Sequence, residues 1–295
     1  MEKFNAQKIP VEQVDIIRAF IDSRRDEHSR ENNVHLNTVL REDIFPLLDR
    51  ICTVVYFPID DKENNGFHVS YPFRGQDIDF VYINTAQDRE KQIFTAAHEL
   101  GHIWELDKHL SAECKLQMDT EYCERIMNRF AAELLMPMDI FLEYARSKID
   151  RLRRENKITI GEMVEAITAI MNEFFVPYKA VVYRLFELGI IGEESARILW
   201  GENLDLPRSL LEEHSRSVAE AQGFGRLYKA DCRRTIDGLK ELLDEARTSR
   251  CVPDQWLEAF YARFEFKHKK EDGSLEDTLP ISEGEESADA RTGCD

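Results

Sequence analysis

The spacing of hydrophobic positions changes twice along the chain, which separates helical from strand-forming parts. Apolar side chains recur at loosely helical spacing from Val11 to Ile21 and again from Leu36 to Leu48. Three short segments rich in Val, Ile, Tyr and Phe follow, separated by Asp, Asn and Gly: CTVVYFPI, GFHVSYPF and DIDFVYIN. These segments predict strands, and a small antiparallel sheet is the simplest arrangement for them.

Helical spacing returns after Asn84. Thr85 and Asp88 match a capping start, which predicts a helix over 86–106, and a polar loop follows over 107–119. Further helices are predicted at 120–136, 139–154, 160–174, 178–188, 193–199, 208–222, 226–247 and 253–266. The pattern therefore predicts an α+β fold: a mostly helical domain, with the antiparallel sheet packed on the helix over 86–106, followed by a helical C-terminal region.

Five parts follow from this pattern and from the charge distribution. They are an N-terminal helix at 1–36, a core at 37–140, a helical, helix-turn-helix-like segment at 141–192, a C-terminal helical region at 193–266 and an acidic tail at 267–295. Within the tail, residues 271–295 hold nine acids against one arginine and few apolar side chains. Such a segment has too little apolar surface to bury, so we expect it to be disordered.

The segment FTAAHELGHIW at 94–104 carries two histidines four residues apart, with a glutamate directly after the first. Side chains four apart lie on one helix face, so His98 and His102 can direct ring nitrogens at one zinc ion. Glu99 points about 100° away from His98, which makes it a poor ligand but a suitable base for a water bound to the metal. This spacing predicts a metal site with a general base.

The alternative is an ordinary amphipathic helix that happens to contain two histidines. Its buried face is readily identified by apolar residues at positions i, i+4, i+7 and i+11: Ile93, Ala97, Leu100 and Trp104. The histidines lie beside this face rather than on it, and Gly101 permits close approach of another element. Both features favour the metal site.

A catalytic zinc ion usually has three protein ligands, and no third histidine has suitable spacing. The candidate carboxylates lie in or near the next predicted helix: Glu113, Glu121, Glu124 and Glu133. Glu124 has the strongest physical case, because Asn128 falls on the same face four residues later. Its amide oxygen could accept the free N–H of a ligand histidine.

The motif FTAAHELGHIW after VYIN, followed by ERIMNRFAAELLMP, resembles the ImmA/IrrE family of zinc metallopeptidases. The family pattern has a strand ending in Asn, a helix with HExxH, and a later helix reading ExxANxFAxxLLMP. The chain departs from it at the alanine, which is the bulkier Met127 here. The resemblance covers about residues 37–190, and the matching positions are Glu124, Asn128, Phe130, Ala131 and the LLMP at 134–137.

The resemblance implies that His98, His102 and Glu124 bind zinc and that Glu99 activates the zinc-bound water. It also implies an endopeptidase that cleaves or inactivates a partner transcriptional repressor, often in mobile elements or stress responses. Hydrolysis further needs a group that stabilises the oxyanion. Three candidates stay open at this point: Tyr71, Tyr82 and His109.

The rival interpretation is a regulator that keeps the metallopeptidase scaffold but does not cut. Such a protein would act by binding a repressor or DNA, or as a toxin–antitoxin component. A scaffold freed from chemistry has no physical need for the base, so an intact Glu99 beside its ligands favours the peptidase.

A second motif, FFVPYKAVVYRLFELGII at 174–191, has the spacing of a helix-turn-helix. Lys179 and Arg184 could face phosphates in that interpretation. The simpler one is that the apolar residues are core and the segment packs behind the metal site or grips a partner protein. The net charge of −18 also disfavours direct DNA binding, since phosphate contacts need a basic surface.

No apolar run approaches the roughly 18 to 20 residues of a membrane helix. The first residues, MEKFNAQKIP, have no apolar core of the kind found in signal peptides. The six cysteines include no CxxC pair, which argues against a cysteine-rich zinc module. We therefore expect a cytoplasmic protein with no membrane partner.

Overall fold

The computed structural model describes residues 3–32, 36–61, 63–73, 76–152, 158–203 and 205–266. The acidic tail at 267–295, for which disorder is predicted, lies outside the described residues. None of the helices in the described ranges combines the length and the apolar character that crossing a membrane would require.

The α+β prediction is confirmed by helices that surround one small sheet. In the described ranges the helices are α1 Val11–Asn32, α2 Ile44–Ile51, α3 Arg89–Ile103, α4 Leu106–Cys114, α5 Thr120–Leu135, α6 Met138–Leu152, α7 Ile160–Phe174, α8 Tyr178–Glu187, α9 Glu193–Leu199, α10 Arg208–Ala221, α11 Leu239–Ser249 and α12 Asp254–Arg263. The strands are β1 Thr53–Phe57, β2 Gly66–Phe73, β3 Gln76–Asn84 and β4 Thr235–Ile236. Short 3₁₀ turns cover Arg41–Asp43 and Gly225–Tyr228.

The sheet is mixed, so the prediction of an antiparallel sheet was wrong in one respect. Its strand order is β2-β3-β1-β4, with β1 parallel to β3 and antiparallel pairing elsewhere. The connection between β2 and β3 is short, and β2 pairs antiparallel with one edge of β3. β1 pairs with the other edge of β3 and runs parallel to it, which local sequence spacing does not reveal.

Two of the predicted elements differ from the structure. The polar loop expected at 107–119 contains α4, which starts after a left-handed residue, Glu105, and is anchored by buried Leu106 and Leu110. The helix expected over 226–247 is reduced to α11, because β4 precedes it and pairs with β1. Pairing between residues almost 180 positions apart has overridden local helical periodicity there.

The central helix, α3, lies against the sheet strands β2 and β3 on one side and against α5 on another. Gly101 allows α3 and α5 to approach closely, since a Cβ built there would lie 2.8 Å from Met127 Sδ and 3.0 Å from Phe130 Cδ1. Met127 is fully buried at this contact. Met127, which replaces the alanine of the family pattern, therefore packs against Gly101.

Candidate metal centre

Three side chains from α3 and α5 converge at the contact between these helices. One ligand atom each of His98, His102 and Glu124 lies within 4.8 Å of the other two. The Nε2 atom of His98 is 3.1 Å from Glu124 Oε2, and that of His102 is 3.6 Å from Glu124 Oε1. The carboxylate thus faces both imidazoles at once.

Local sequence explains this geometry. The two histidines are one helical turn apart, and their ring centroids are 5.2 Å from each other. The start of α5 is fixed by Asp119, whose side chain accepts a hydrogen bond of 2.7 Å from the backbone N–H of Tyr122. Glu124 then lies in the second turn of α5, level with the histidines.

Asn128 is hydrogen-bonded to the first histidine of this cluster. Its Oδ1 lies 3.1 Å from His98 Nδ1 and accepts the ring N–H there. This tautomer leaves the Nε2 lone pair of His98 directed at the cluster, as a metal ligand requires. Asn128 thus lies within hydrogen-bond distance of His98, and its role in supporting a metal ligand stays a prediction.

The three side chains shift one another's pKa values because their nitrogen and oxygen atoms lie close together. Burial lowers the pKa of His98, but the hydrogen bond to Glu124 and the charges of Glu99 and Glu124 outweigh it and raise this pKa. The hydrogen bond from His98 in turn lowers the pKa of Glu124. Burial and the neighbouring His98 lower the pKa of His102. Two imidazole nitrogens and one carboxylate form a donor set typical of catalytic zinc, so these residues fit the ion.

Glu99 is on the same turn as the histidines but has a different environment. It is only 5% exposed, and burial raises the pKa of its carboxyl, with His98 and His68 opposing the rise and Glu124 adding to it. Unlike the exposed Glu124, Glu99 is buried, and it is affected by the charges of His98 on α3 and Glu124 on α5. A group with a raised pKa in this position suits proton transfer.

The other predicted third ligands lie elsewhere. Glu113 and Glu121 are exposed, whereas Glu133 is buried and forms ion pairs with arginines from three helices. Among these acids, the structure brings only Glu124 to the histidines within the described residues.

Two of the three residues suggested for the oxyanion, Tyr82 and His109, are engaged with other groups, and the third is exposed. The hydroxyl of Tyr82 donates to the backbone oxygen of Phe57 at 2.7 Å, and the ring of His109 packs on Phe20 at 4.8 Å. Tyr71 is 58% exposed on β2, the edge strand of the sheet.

His68 is a polar residue at the site that the sequence reasoning missed. Its ring lies 6.5 Å from that of His102 and almost parallel to it, and its charge affects the pKa values of both His102 and Glu99. Its Nε2 lies 2.8 Å from Asp79 Oδ1 on β3. The signal was present in GFHVSYPF, where an isolated histidine alternates with apolar residues of a predicted strand.

The helix-turn-helix-like segment has the apolar core that the simpler interpretation expects. Val181, Val182 and Leu185 of α8 are fully buried. Arg184 is also fully buried and binds Glu133, so it cannot reach a phosphate group from this position. Lys179 lies 5.4 Å from the centre of the Trp200 ring.

One protein family matches the part of the chain that holds this site. Residues 49–186 match the model of the peptidase M78 family, described as the IrrE N-terminal-like domain. The matched segment begins just before β1 and ends within α8, so it contains β1, β2, β3, α3 and α5 but not β4. None of the curated proteins compared with the chain matches it.

Proposed function

Residues 49–186 belong to the IrrE N-terminal-like family of metallopeptidases, and on that premise we propose that the protein is a zinc-dependent endopeptidase. Its proposed substrate is a partner transcriptional repressor, cleaved at a single bond. The observation that carries the proposal is the convergence of His98, His102 and Glu124 within 4.8 Å, with the buried Glu99 beside them.

The environment of each residue indicates its role in the proposed reaction. Zinc, when bound, would act as a Lewis acid toward the peptide carbonyl and lower the pKa of a water molecule. Asn128 keeps His98 in the tautomer that offers Nε2. Glu99 takes the proton from the attacking water and delivers it to the leaving amine, a task for which its raised pKa suits it.

His68 is the residue that we assign to the developing oxyanion, in place of Tyr71, Tyr82 and His109. It faces Glu99 and His102 from β2, and Asp79 holds its Nε2. Asp79 fixes the ring through Nε2, so Nδ1, when it carries a proton, is the N–H left for the oxyanion, and it is oriented before the substrate binds.

The edge of the sheet supports a substrate that binds in extended form. β2 is at one end of the strand order, and it carries His68. An extended peptide could add to this edge through backbone hydrogen bonds and pass the metal centre. The cleavable segment of a folded repressor would have to open locally to do so, which makes its local stability a control point.

The test compares wild-type protein with Glu99→Gln, both loaded with zinc. The substrates are casein and the repressor encoded beside the gene, and mass spectrometry identifies the products. We expect one cut in the repressor, almost none in casein, and a loss of about 10²–10⁴-fold in rate for Glu99→Gln at unchanged zinc content. Full activity of the variant would refute the role of Glu99.

Two other outcomes would change the assignment. Scattered cleavage of casein would indicate a general peptidase. Binding of the repressor without cleavage, at full zinc occupancy, would favour the non-proteolytic regulator.

A further inference from the structure

The strand at the free edge of the sheet, β2, exposes a row of apolar side chains. Phe67 is 47% exposed, Val69 46% and Tyr71 58%. Because side chains alternate along a strand, these three residues share one face of the sheet, and we refer to them as the outer row. On β3, Phe80 lies opposite Val69 and continues this face at 37% exposure. Exposed apolar side chains clustered in this way indicate an interaction site.

The opposite side of β2 faces the candidate metal centre. His68 points to this side, and its ring lies 6.5 Å from that of His102. The first residue of β2 is held closely against α3, since a Cβ built at Gly66 would lie 2.6 Å from Thr95 Cγ2. One strand therefore presents an apolar row on one face and a residue of the candidate site on the other.

The composition of β2 differs from that of the chain as a whole. Charged residues make up 33% of the sequence, but the strand GFHVSYPF contains no Asp, Glu, Lys or Arg. Edge strands are commonly protected from pairing with another chain by charged side chains, by proline or by bulges. The register of the described strand with β3 contains no bulge, and Pro72 lies near its end. The preceding part of the edge is open to a pairing partner.

The backbone of β2 shows which groups this edge leaves unpaired. β2 is the terminal strand of the sheet, and no strand in the described part of the chain pairs with its outer edge. Asn84 N–H donates to Asn65 O at 2.9 Å, so these two residues form a hydrogen-bonded pair of the antiparallel ladder. Because such pairs alternate, the backbone of the outer row bonds to β3, and the N–H and C=O groups of His68 and Ser70 point to the free edge. Pro72 fits this phase, since a proline is tolerated where its nitrogen faces away from the ladder.

We propose that the outer row and the free edge of β2 together select the cleavable segment of the substrate, a stretch with large apolar side chains at every second residue. The proposal rests on the proposed peptidase function and adds the sequence that the enzyme prefers. In an added antiparallel strand, the residues bonded to His68 and Ser70 turn their side chains toward the metal side. The residues between them lie beside the outer row, where apolar cross-strand pairs are stabilising.

The position of this edge favours a substrate segment over other occupants. A strand paired with β2 lies about 4.8 Å from it, next to His68, the residue that we assign to the oxyanion. The acidic segment 271–295 has nine acids and few apolar side chains, so its composition does not match an uncharged apolar edge. A second copy of the chain would compete with substrate for the same edge, and the oligomeric state tests that alternative.

The test uses full-length Glu99→Gln, with and without zinc, so that bound peptides stay uncut. Calorimetry and NMR titration compare the alternating peptide acetyl-Thr-Val-Lys-Phe-Thr-Val-Lys-amide with its isomer acetyl-Thr-Lys-Val-Phe-Val-Thr-Lys-amide. A third peptide has Gln in place of Val and Phe. We expect the alternating peptide to bind about tenfold more tightly than the other two, which corresponds to about 1.4 kcal/mol.

Amide hydrogen exchange tests the direction of the backbone groups. The N–H groups of His68 and Ser70 should exchange rapidly in the free protein and become protected when the alternating peptide binds. Those of Phe67 and Val69 bond to β3, so their protection should not depend on the peptide. The reverse pattern would overturn the proposed pairing.

The variants separate binding from folding. Combined Phe67→Thr and Val69→Thr changes keep β-forming residues but remove apolar surface, so they should abolish the preference for the alternating peptide. The matched control is Val11→Thr at a 70% exposed residue of α1, which should leave the affinity unchanged. Ser70→Pro removes an N–H that β3 does not use, so it should weaken binding at a nearly unchanged melting temperature. Equal affinity for the alternating peptide and its isomer, or unchanged binding by all these β2 variants, would overturn the proposal.

The remaining outcomes distinguish this surface from the proposed function. Selective binding of the alternating peptide by a protein that cleaves no repressor would remove the peptidase proposal and leave a binding edge. Cleavage of a repressor at a segment without alternating apolar residues would remove the specificity surface alone. A dimer in analytical ultracentrifugation that Val69→Thr dissociates would make a second copy the occupant and overturn the assignment to substrate.

Discussion

Two acids on α5 lie nine residues apart and have opposite environments. The side chain of Glu124 is 51% exposed and faces the Nε2 atoms of two histidines. The side chain of Glu133 is 2% exposed and is surrounded by arginines, with Arg184 Nη2 at 2.7 Å and Arg18 Nη2 at 3.1 Å. Both carboxylates join α5 to other helices, but only Glu133 meets permanent positive charge.

The two acids differ in the source of the positive charge that balances the carboxylate. Burial alone would raise the pKa of Glu133, yet Arg184, Arg129 and Arg18 lower it to about 2. Arginines of the chain itself therefore neutralise Glu133, and these ion pairs connect α1, α5 and α8. At Glu124 the neighbours are imidazole nitrogens rather than permanent cations, so the cation that we propose for this site would come from outside the chain.

Removing Glu124 should have the largest effect on metal binding. Glu124→Ala leaves two protein ligands, so we expect zinc affinity to fall beyond the about 10–100-fold typical of changes outside the ligand set. Metal content after dialysis measures this, with Glu121→Ala as the matched control one turn earlier on α5. Loss of zinc from Glu121→Ala rather than from Glu124→Ala would show that Glu121, one turn earlier, is the ligand.

Removing the charge of Glu133 should affect folding rather than metal. Glu133→Gln removes the carboxylate charge that Arg184 meets at 2.7 Å in the interior, and breaking a buried ion pair costs about 3–5 kcal/mol in free energy of unfolding. Urea denaturation gives this value, and zinc affinity of the folded variant should stay within about twofold of wild type. A loss of zinc with unchanged stability would contradict the comparison.

The acid side of the stability curve should report Glu133. Its pKa is lowered on folding from an ordinary value of 4.5 to about 2, so its contribution is fully present above about pH 4.5 and is lost as the pH falls toward 2. The loss amounts to about 3 kcal/mol at most. Urea denaturation at several pH values should show this slope in wild type and a shallower one in Glu133→Gln.

A smaller effect is expected at Asn128, which holds His98 without binding metal itself. Asn128→Ala should weaken zinc binding by about 10–100-fold, and the exposed position predicts little change in stability. Competition with a chelator measures the affinity. Asn128→Asp should recover part of it because a carboxylate also accepts from Nδ1–H; no difference between the two variants would count against this role.

The smallest effect should come from deleting residues 271–295. Few apolar side chains occur in this segment, so the melting temperature and the zinc affinity should both stay nearly unchanged. A large drop in melting temperature would mean that the acidic tail docks on the fold.

The sequence by itself predicted most of the helices and named the three side chains that converge at the candidate metal centre. α5, α7 and α9 begin and end within one residue of their predicted limits, because helical periodicity, caps and proline stops are local signals. HExxH on α3 and ExxxN on α5 also predict local geometry, and the family match at 49–186 confirms the resemblance drawn from them. The metal-ligating roles of His98, His102 and Glu124 stay a prediction that their convergence supports.

Only the tertiary structure decided which distant groups meet. The parallel pairing of β1 with β3, the strand β4 at Thr235–Ile236 and the approach of His68 to His102 all join residues separated by many positions. The same holds for the arginines around Glu133, since a sequence pattern does not state what a charged side chain faces. Local spacing specifies one helix at a time, whereas the partner of a buried charge is set by the packing of several.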